Sequence, residues 1–319
     1  MKRNIQNVTI VGAGPAACTL AILLRRAGIE VTMFFQPKRA PIIVGESLVP
    51  AVIPILRLLG VEDEVRSYSM FKGGGCFTMG REVHIAFELK NIKSSLPPYA
   101  YNVPRAQFDD TLLAAARRAG AQVIERAATL ERVGDSDRVK LADTSAQPDL
   151  IVDATGRARL IPQLLGIPSQ RGNREDTALF AHVDRFKLDY DGYIHITRLE
   201  HGWSWRIPLP GRVSVGIVIG AEHVKRFGAT KEEQFDNLLL RDRELRQQAD
   251  GAQRLTPVMA YSNYQLISMR LVGDGWVLAG DTAGFTDPIF SSGLFVAMDG
   301  AVALEIGRAS CRERVYSSV

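Results

Sequence analysis

The 319-residue chain is 46% hydrophobic and 23% charged, a globular composition that excludes a disordered protein. Its 39 basic and 35 acidic residues leave a formal charge of +4, spread along the chain, which argues against a nucleic-acid partner. Three cysteines (Cys18, Cys76 and Cys311) lack metal-ligand spacing and are too few for a disulfide framework.

The N-terminus MKRNIQNVTIVGAG has a charged start but only a short apolar stretch, and no apolar run along the chain is long enough to span a membrane. Cytoplasmic location is the default expectation. Residues 8–12 (VTIVG) have the continuous apolar character of a buried parallel strand. A glycine-rich turn follows, then an apolar helix from about Pro15 to Arg26, in which Cys18 is expected to pack. Ala27-Gly28 ends it, and 29–35 reads as the next strand, completing a βαβ unit. Amphipathic helices are expected at 50–60 and 106–119, with a strand after the second. From about 176 to 220 the alternating, aromatic pattern predicts an antiparallel sheet. One charged helix is expected at about 230–248, and α/β character returns at 275–305. The order predicts an α/β chain whose Rossmann-type domain (1–75, 101–175 and 262–306) is interrupted by a β-rich, substrate-side domain (76–100 and 176–261).

The motifs say what the Rossmann domain is for. Gly12-Ala13-Gly14-Pro15-Ala16-Ala17 is a G-x-G-x-x-A turn between strand and helix. In such a turn Gly12 permits the tight bend and Gly14 the approach of a pyrophosphate. Ala17 allows close packing, and the helix N-terminus favours phosphate charge. The acidic residue that usually ends the second strand is missing; Gln36 stands there as a weaker ribose partner, so NAD specificity has no support. Gly280-Asp281 follows the apolar strand WVLA. A carboxylate there can accept hydrogen bonds from a ribityl chain, which flavins carry and NAD lacks. The helix opening near Ser292-Gly293 would aim its positive end at the flavin N1–C2=O edge. Arg105, ahead of a helix, could meet the cofactor phosphates, and Asp153-Ala154-Thr155-Gly156 closes a strand with small residues, with Asp153 and Gly156 counted as cofactor residues. Four such segments in this order point to FAD.

With these segments the chain resembles the FAD-dependent aromatic hydroxylase superfamily, with its glutathione-reductase-like FAD domain. Three more segments narrow the resemblance to the flavin-dependent halogenases, the tryptophan halogenase family. Gly45-Glu46-Ser47-Leu48-Val49-Pro50 is similar to its GES-like segment. Trp203-Ser204-Trp205-Arg206-Ile207-Pro208 is similar to its W-x-W-x-I-P motif, and Asp287–Gly293 to its halide loop. The resemblance spans about residues 5–305. It implies that FADH2, O2 and chloride or bromide yield hypohalous acid, which a lysine directs to an electron-rich substrate, free or carrier-tethered. A separate NAD(P)H-dependent flavin reductase would supply the reduced cofactor.

Lys72 is the matching lysine, in a segment similar to K-x-G-x-x-F-x-W-G, although Met79 replaces the usual Trp. Its chemistry requires a dry ammonium poised to lose its proton. Lys72 and Glu46 are therefore the candidate catalytic residues, with Ser47 counted among the cofactor residues. Backbone N–H groups of Ser292 and Gly293 are the candidate halide nest. Trp203, Trp205 and Pro208 form the flavin-side aromatic motif, whose bulk would keep the organic substrate from the flavin. An FAD monooxygenase or dehydrogenase on the same scaffold is the alternative, and an inactive FAD-binding fragment a third. Residues 307–319 break with the preceding pattern and read as foreign sequence joined to a truncated gene, which would leave the substrate pocket incomplete.

Overall fold

The computed structural model describes residues 5–37, 40–80, 83–142, 144–172, 175–262, 265–286 and 288–307. Residues 308–319 of the tail expected at 307–319, and Asp287 of the halide-loop motif, lie outside the described residues, whereas Gly307 ends the last helix. The first strand, Asn7–Val11, sits at the centre of a six-stranded sheet. Glu30–Phe34 and Gln122–Ile124 extend it in parallel on one side, and Leu150–Asp153 and Trp276–Leu278 on the other. Val272–Gly273 closes the edge antiparallel. The apolar run read from the sequence is the strand that a doubly covered parallel sheet demands. The fold is thus α/β.

The helix Pro15–Arg26 packs on this sheet and buries Pro15 through Leu24, Cys18 among them. Leu20 and Ile22 belong to a core that Phe108 and Leu112 of the helix Arg105–Arg118 complete, together with Met298 of the helix Gly293–Gly307. Gly60, at φ 73°, ends the helix Val52–Leu59 in the left-handed conformation that glycine adopts without Cβ strain. A short helix, Glu62–Tyr68, follows that the sequence pattern did not reveal.

The second large sheet runs Gln253–Arg254, Asp176–Asp184, Arg212–Gly220, Gly202–Leu209, Ile194–Leu199, Gly74–Met79 and Val83–Glu88, with Met259–Ser262 also paired to Asp176–Asp184. Its pairs are antiparallel except that of Ile194–Leu199 with Gly74–Met79. One face carries Leu179, Val215 and Ile217 beneath Phe235 and Leu238 of the covering helix. The other carries Phe180, Ile194, Ile196 and Trp203. A third, small sheet joins Ser169–Arg171, Leu266–Ser268 and Gly284–Phe285. Among the described residues no helix is long and apolar enough to cross a membrane.

The single helix expected at 230–248 is two. Lys231–Arg241 starts with a Thr230/Glu233 capping box, and Arg243–Gln248 restarts after Asp242. Asp242 is extended (φ −81°, ψ 136°), and its carboxylate accepts the Leu245 N–H at 3.0 Å. An aspartate competes well for exposed N–H groups, so it interrupts rather than continues a helix.

Candidate active site

A cavity of about 710 Å³ lies between the C-terminal end of the parallel sheet and the apolar face of the large antiparallel one. Its floor is the Gly12–Ala17 turn. Gly12 has φ +123°, and its N–H donates to the Phe34 carbonyl at 2.7 Å. A Cβ there would lie 2.2 Å from the Ala154 oxygen, so backbone crowding demands glycine. Gly14 is different. It has φ −74°, which any residue adopts, and an added Cβ would meet no protein atom within 4 Å. The space over Gly14 is cavity, and the first N–H groups of a twelve-residue helix open onto it.

Pro15, Ala16 and Ala17 line the same floor, and Phe34, Phe35 and Gln36 line the adjoining wall. Arg105 also lines the cavity. It is the first residue of its helix, paired with Asp109 at 3.0 Å and donating through Nη1 to the Val44 carbonyl. Gly280 (φ +60°) and Asp281 form a turn after Trp276–Leu278, and Gly156 (φ +62°) faces them. Burial pushes the Asp281 carboxyl up, against the opposing pull of the Arg105 and Arg157 guanidiniums. Gly293 and its neighbour Ser291, at φ +56°, complete this end.

Asp153 is placed elsewhere than the sequence reading had it. It is fully buried behind the cavity: Oδ1 accepts from the Thr155 N–H (3.0 Å) and hydroxyl (2.6 Å), and Oδ2 from the Ile161 N–H (2.7 Å). Its carboxylate braces the turn that carries Thr155 and Gly156 to the cavity. Ser292 and Pro208 are not on the lining either. Ser292 opens the helix Gly293–Gly307, its carbonyl accepting from Val296, and Pro208 lies buried on the opposite face of its strand.

Trp203 and Trp205 share the cavity face of their strand, with ring centroids 5.7 Å apart. Gly216, across the ladder from Trp205, leaves room for the indole: a Cβ there would lie 2.0 Å from Cζ2. Phe180 stands 6.0 Å from Trp205, Tyr261 lies 5.2 Å from Phe180 edge-on, and the Arg157 guanidinium sits 4.4 Å over the Tyr261 ring. The sequence reading did not single out Phe180, Tyr261 or Arg157. Alternation along TALFAHVD already places Phe180 and His182 on one strand face.

Glu46 and Ser47 line the cavity on a segment paired to Tyr101–Val103, through Leu48 N to Tyr101 O (2.9 Å) and Val103 N to Glu46 O (2.7 Å). Glu46 is 2% exposed, and its Oε1 lies 2.8 Å from His182 Nε2. Lys72 is 4% exposed and stands behind this segment rather than on the cavity lining. Its Nζ donates to Ser47 Oγ at 2.8 Å and to the Leu48 carbonyl at 2.9 Å. With neutral acceptors alone, burial holds the Lys72 ammonium down to about 7. Glu46 and Lys72, named together from sequence, thus flank one dipeptide and hold different partners.

The Tryptophan halogenase family model matches residues 7–87 and 78–306. The chain belongs to the tryptophan halogenase family. Its members are flavin-dependent oxidoreductases that use FAD and halide. A 1H-pyrrole-2-carbonyl-[peptidyl-carrier protein] chlorinase of Pseudomonas fluorescens is 29% identical over 94% of this chain and 75% of its own length. The myxobacterial chondrochloren halogenase, an FAD-dependent halogenase, superposes with TM-score 0.85 at 27% identity over 96% of this chain and 74% of its own. A flavoprotein/dehydrogenase from Cytophaga hutchinsonii superposes with TM-score 0.86 at 28% identity, covering 98% and 81%. Another curated relative is spanned over only 59% of its length. The residues present fit the family's cofactor, since Gly14 opens onto cavity where its own chain gives no reason for glycine.

Proposed function

We propose that the protein halogenates an electron-rich aromatic or similar small molecule, using FADH2, O2 and chloride or bromide. The observation that carries this is Lys72: a buried amine, held down to about 7, hydrogen-bonded to the Ser47 hydroxyl of the cavity wall. A solvated loop lysine would have neither property. Bound in the cavity, reduced FAD would supply the activation of oxygen from which halide yields hypohalous acid.

The chain's own residues then have distinct tasks. Gly12, Gly14 and the helix start at Pro15–Ala17 receive the pyrophosphate, with Arg105 adding positive charge. Asp281 accepts hydrogen bonds from the ribityl hydroxyls, and Gln36 serves the ribose. The turn at Ser291–Gly293 presents N–H groups to halide, with Ser291 rather than Ser292 at the cavity. Trp203 and Trp205 fill the sheet-side wall and keep the organic substrate apart from the flavin. Lys72, held down to about 7, is partly neutral at neutral pH, and from behind the Ser47 wall its lone pair would accept a hydrogen bond from hypohalous acid or take the halogen from it with release of water. Reduced FAD comes from a separate NAD(P)H-dependent reductase in the cytoplasm. The chlorinase named above acts on a carrier-bound pyrrole, which supports a carrier-tethered substrate for this chain as well.

The Cytophaga flavoprotein supports a second reading, FAD-dependent dehydrogenation or monooxygenation, in which Lys72 has no role. One experiment separates the two. The protein is mixed with FADH2, O2 and bromide, with monochlorodimedone present as a halogen acceptor. Halogenated acceptor in the parent and none in Lys72→Ala, with equal FADH2 consumption, supports halogenation through the lysine. Equal halogenation in both variants shows hypohalous acid leaving the flavin site free and gives Lys72 no part in halogenating this acceptor, and hydroxylated product or peroxide alone favours the second reading.

A further inference from the structure

Behind the wall that carries Glu46, one histidine spans the two halves of the molecule. His182 belongs to Asp176–Asp184 and faces the cavity side of the large sheet, as Phe180 does two residues earlier. Its backbone is fixed on the outer edge. The edge pairing passes from Met259–Ser262 to Gln253–Arg254 here, and between the two the His182 N–H donates to Thr256 Oγ1 at 3.0 Å while its carbonyl accepts the Leu255 N–H at 2.8 Å. The imidazole has little freedom, with its side chain 10% exposed, and meets Glu46, whose side chain is 3% exposed, at 2.8 Å. Among the described residues it is the partner of that carboxylate.

The segment it grips is held from three directions. Tyr101 and Val103 pair with its backbone, Lys72 binds Ser47 and Leu48, and His182 binds Glu46. The first two contacts come from one side of the molecule, where the strand Ala100–Asn102 pairs with Met70–Lys72. His182 alone of the three belongs to a strand of the large sheet on the cavity's far side. A buried carboxylate that loses its hydrogen-bond donor must turn to find another or take up a proton. Either change removes the hold of the large sheet on Glu46 and leaves the segment that seats Ser47 against Lys72 anchored from one side only.

We propose that His182 is a positioning residue: by donating to Glu46 it fixes the Glu46–Leu48 segment on the cavity wall, and so sets both the cofactor's fit and the seat of Lys72. The proposal rests on the FAD reading above. What matters at 182 is a donor at imidazole reach, which glutamine can supply and leucine cannot.

The test uses the whole chain and oxidised FAD, with thermal melting of each variant first. FAD affinity is measured by quenching of flavin fluorescence, and visible circular dichroism reports how the bound flavin is seated. His182→Leu is expected to bind FAD at least tenfold more weakly with an altered dichroism spectrum, and His182→Gln to stay within about threefold of the parent. In a Glu46→Gln background, His182→Leu is expected to cost less than threefold, because the charge that needs the donor is gone. If His182→Leu does not melt as a folded protein, His182→Asn, whose shorter amide falls short of Glu46, takes its place with the same expectation. Unchanged affinity and dichroism in the leucine or asparagine variant overturns the proposal. So does a glutamine variant as weak as leucine, or an equal loss in the Glu46→Gln background. A parent chain that does not bind FAD overturns the underlying reading as well, which distinguishes the two failures.

Discussion

A methyl group on Gly12 would lie 2.2 Å from the carbonyl oxygen of Ala154, whereas one on Gly14, two residues on, would touch nothing. The two glycines of one turn therefore answer to different demands. Gly12→Ala must displace the Leu150–Asp153 strand end or distort a backbone held at φ +123°, and is expected to destabilise the fold by about 2 kcal/mol or more. Gly14→Val should melt like the parent and fail to bind FAD, since its side chain occupies the space of the pyrophosphate. Urea unfolding and flavin titration check both. FAD affinity retained in Gly14→Val would show that the cofactor does not approach this turn.

Asp153 gives a prediction of the opposite kind. Its carboxylate is fully buried and accepts two N–H groups and a hydroxyl from the turn that follows it, with the Thr282 hydroxyl at 3.5 Å as a further, longer contact. Asp153→Ala leaves those donors without acceptors and is expected to cost about 2–4 kcal/mol of stability. In conditions where the variant is folded, FAD affinity should fall far less than in Gly14→Val. An unchanged urea midpoint would remove Asp153 as a brace.

The contrast between these residues shows what was legible in the sequence. Gly12 and Gly14 announce themselves because a turn chemistry is written in consecutive residues. Trp203 and Trp205 do so because strand alternation puts i and i+2 on one face. Asp153 ends a strand as a cofactor carboxylate would, and only the fold shows its oxygens turned back to Thr155 and Ile161. The Asp242 break was missed because charge and helix propensity run on through it, while its capping role depends on a local hydrogen bond. His182 was hidden for a further reason: its partner lies 136 residues away, and a lone histidine in an apolar strand carries no local signal. Lys72 was found by resemblance, but its burial and its bond to Ser47 belong to tertiary structure.

The indole of Trp205 and the bare backbone of Gly216 define the sheet-side wall. A Cβ at 216 would fall within 2.0–2.3 Å of three indole atoms, so Gly216→Ala drives the ring off the sheet and into the cavity. The variant is expected to fold and to bind FAD at least tenfold more weakly. Trp205→Phe, which removes bulk instead, should keep FAD binding. Flavin titration of the pair tests whether this wall faces the cofactor, and equal affinity in Gly216→Ala and parent would place the cofactor away from it.

Lys72 yields a prediction that links stability to chemistry. Burial lowers its folded-state value to about 7 from 10.5, so between those values the unfolded chain holds more protons than the folded one. By linkage, stability contributed at this site rises with pH through that window: the cost of burying the ammonium is complete below about 7 and absent above about 10. Lys72→Met carries no such cost. Its stability advantage over the parent should be greatest at pH 6, on the order of 5 kcal/mol at most, and shrink steadily toward pH 10. The difference between the two variants isolates this group, because the buried Cys18 and Cys76 thiols, whose raised values oppose the slope above about 9, are common to both, and an exposed lysine would give no slope there. The catalytic side follows from the same titration. If the neutral amine handles the halogen, halogenated product per FADH2 consumed should rise with pH through about 7 in the parent, while Lys72→Ala lowers product at least a thousandfold and leaves FADH2 consumption unchanged. Denaturant unfolding across pH and chromatographic product analysis are the measurements. A Met variant that parallels the parent at every pH would show that Lys72 is charged and compensated in the folded protein, and the amine would then be unsuited to the role assigned to it.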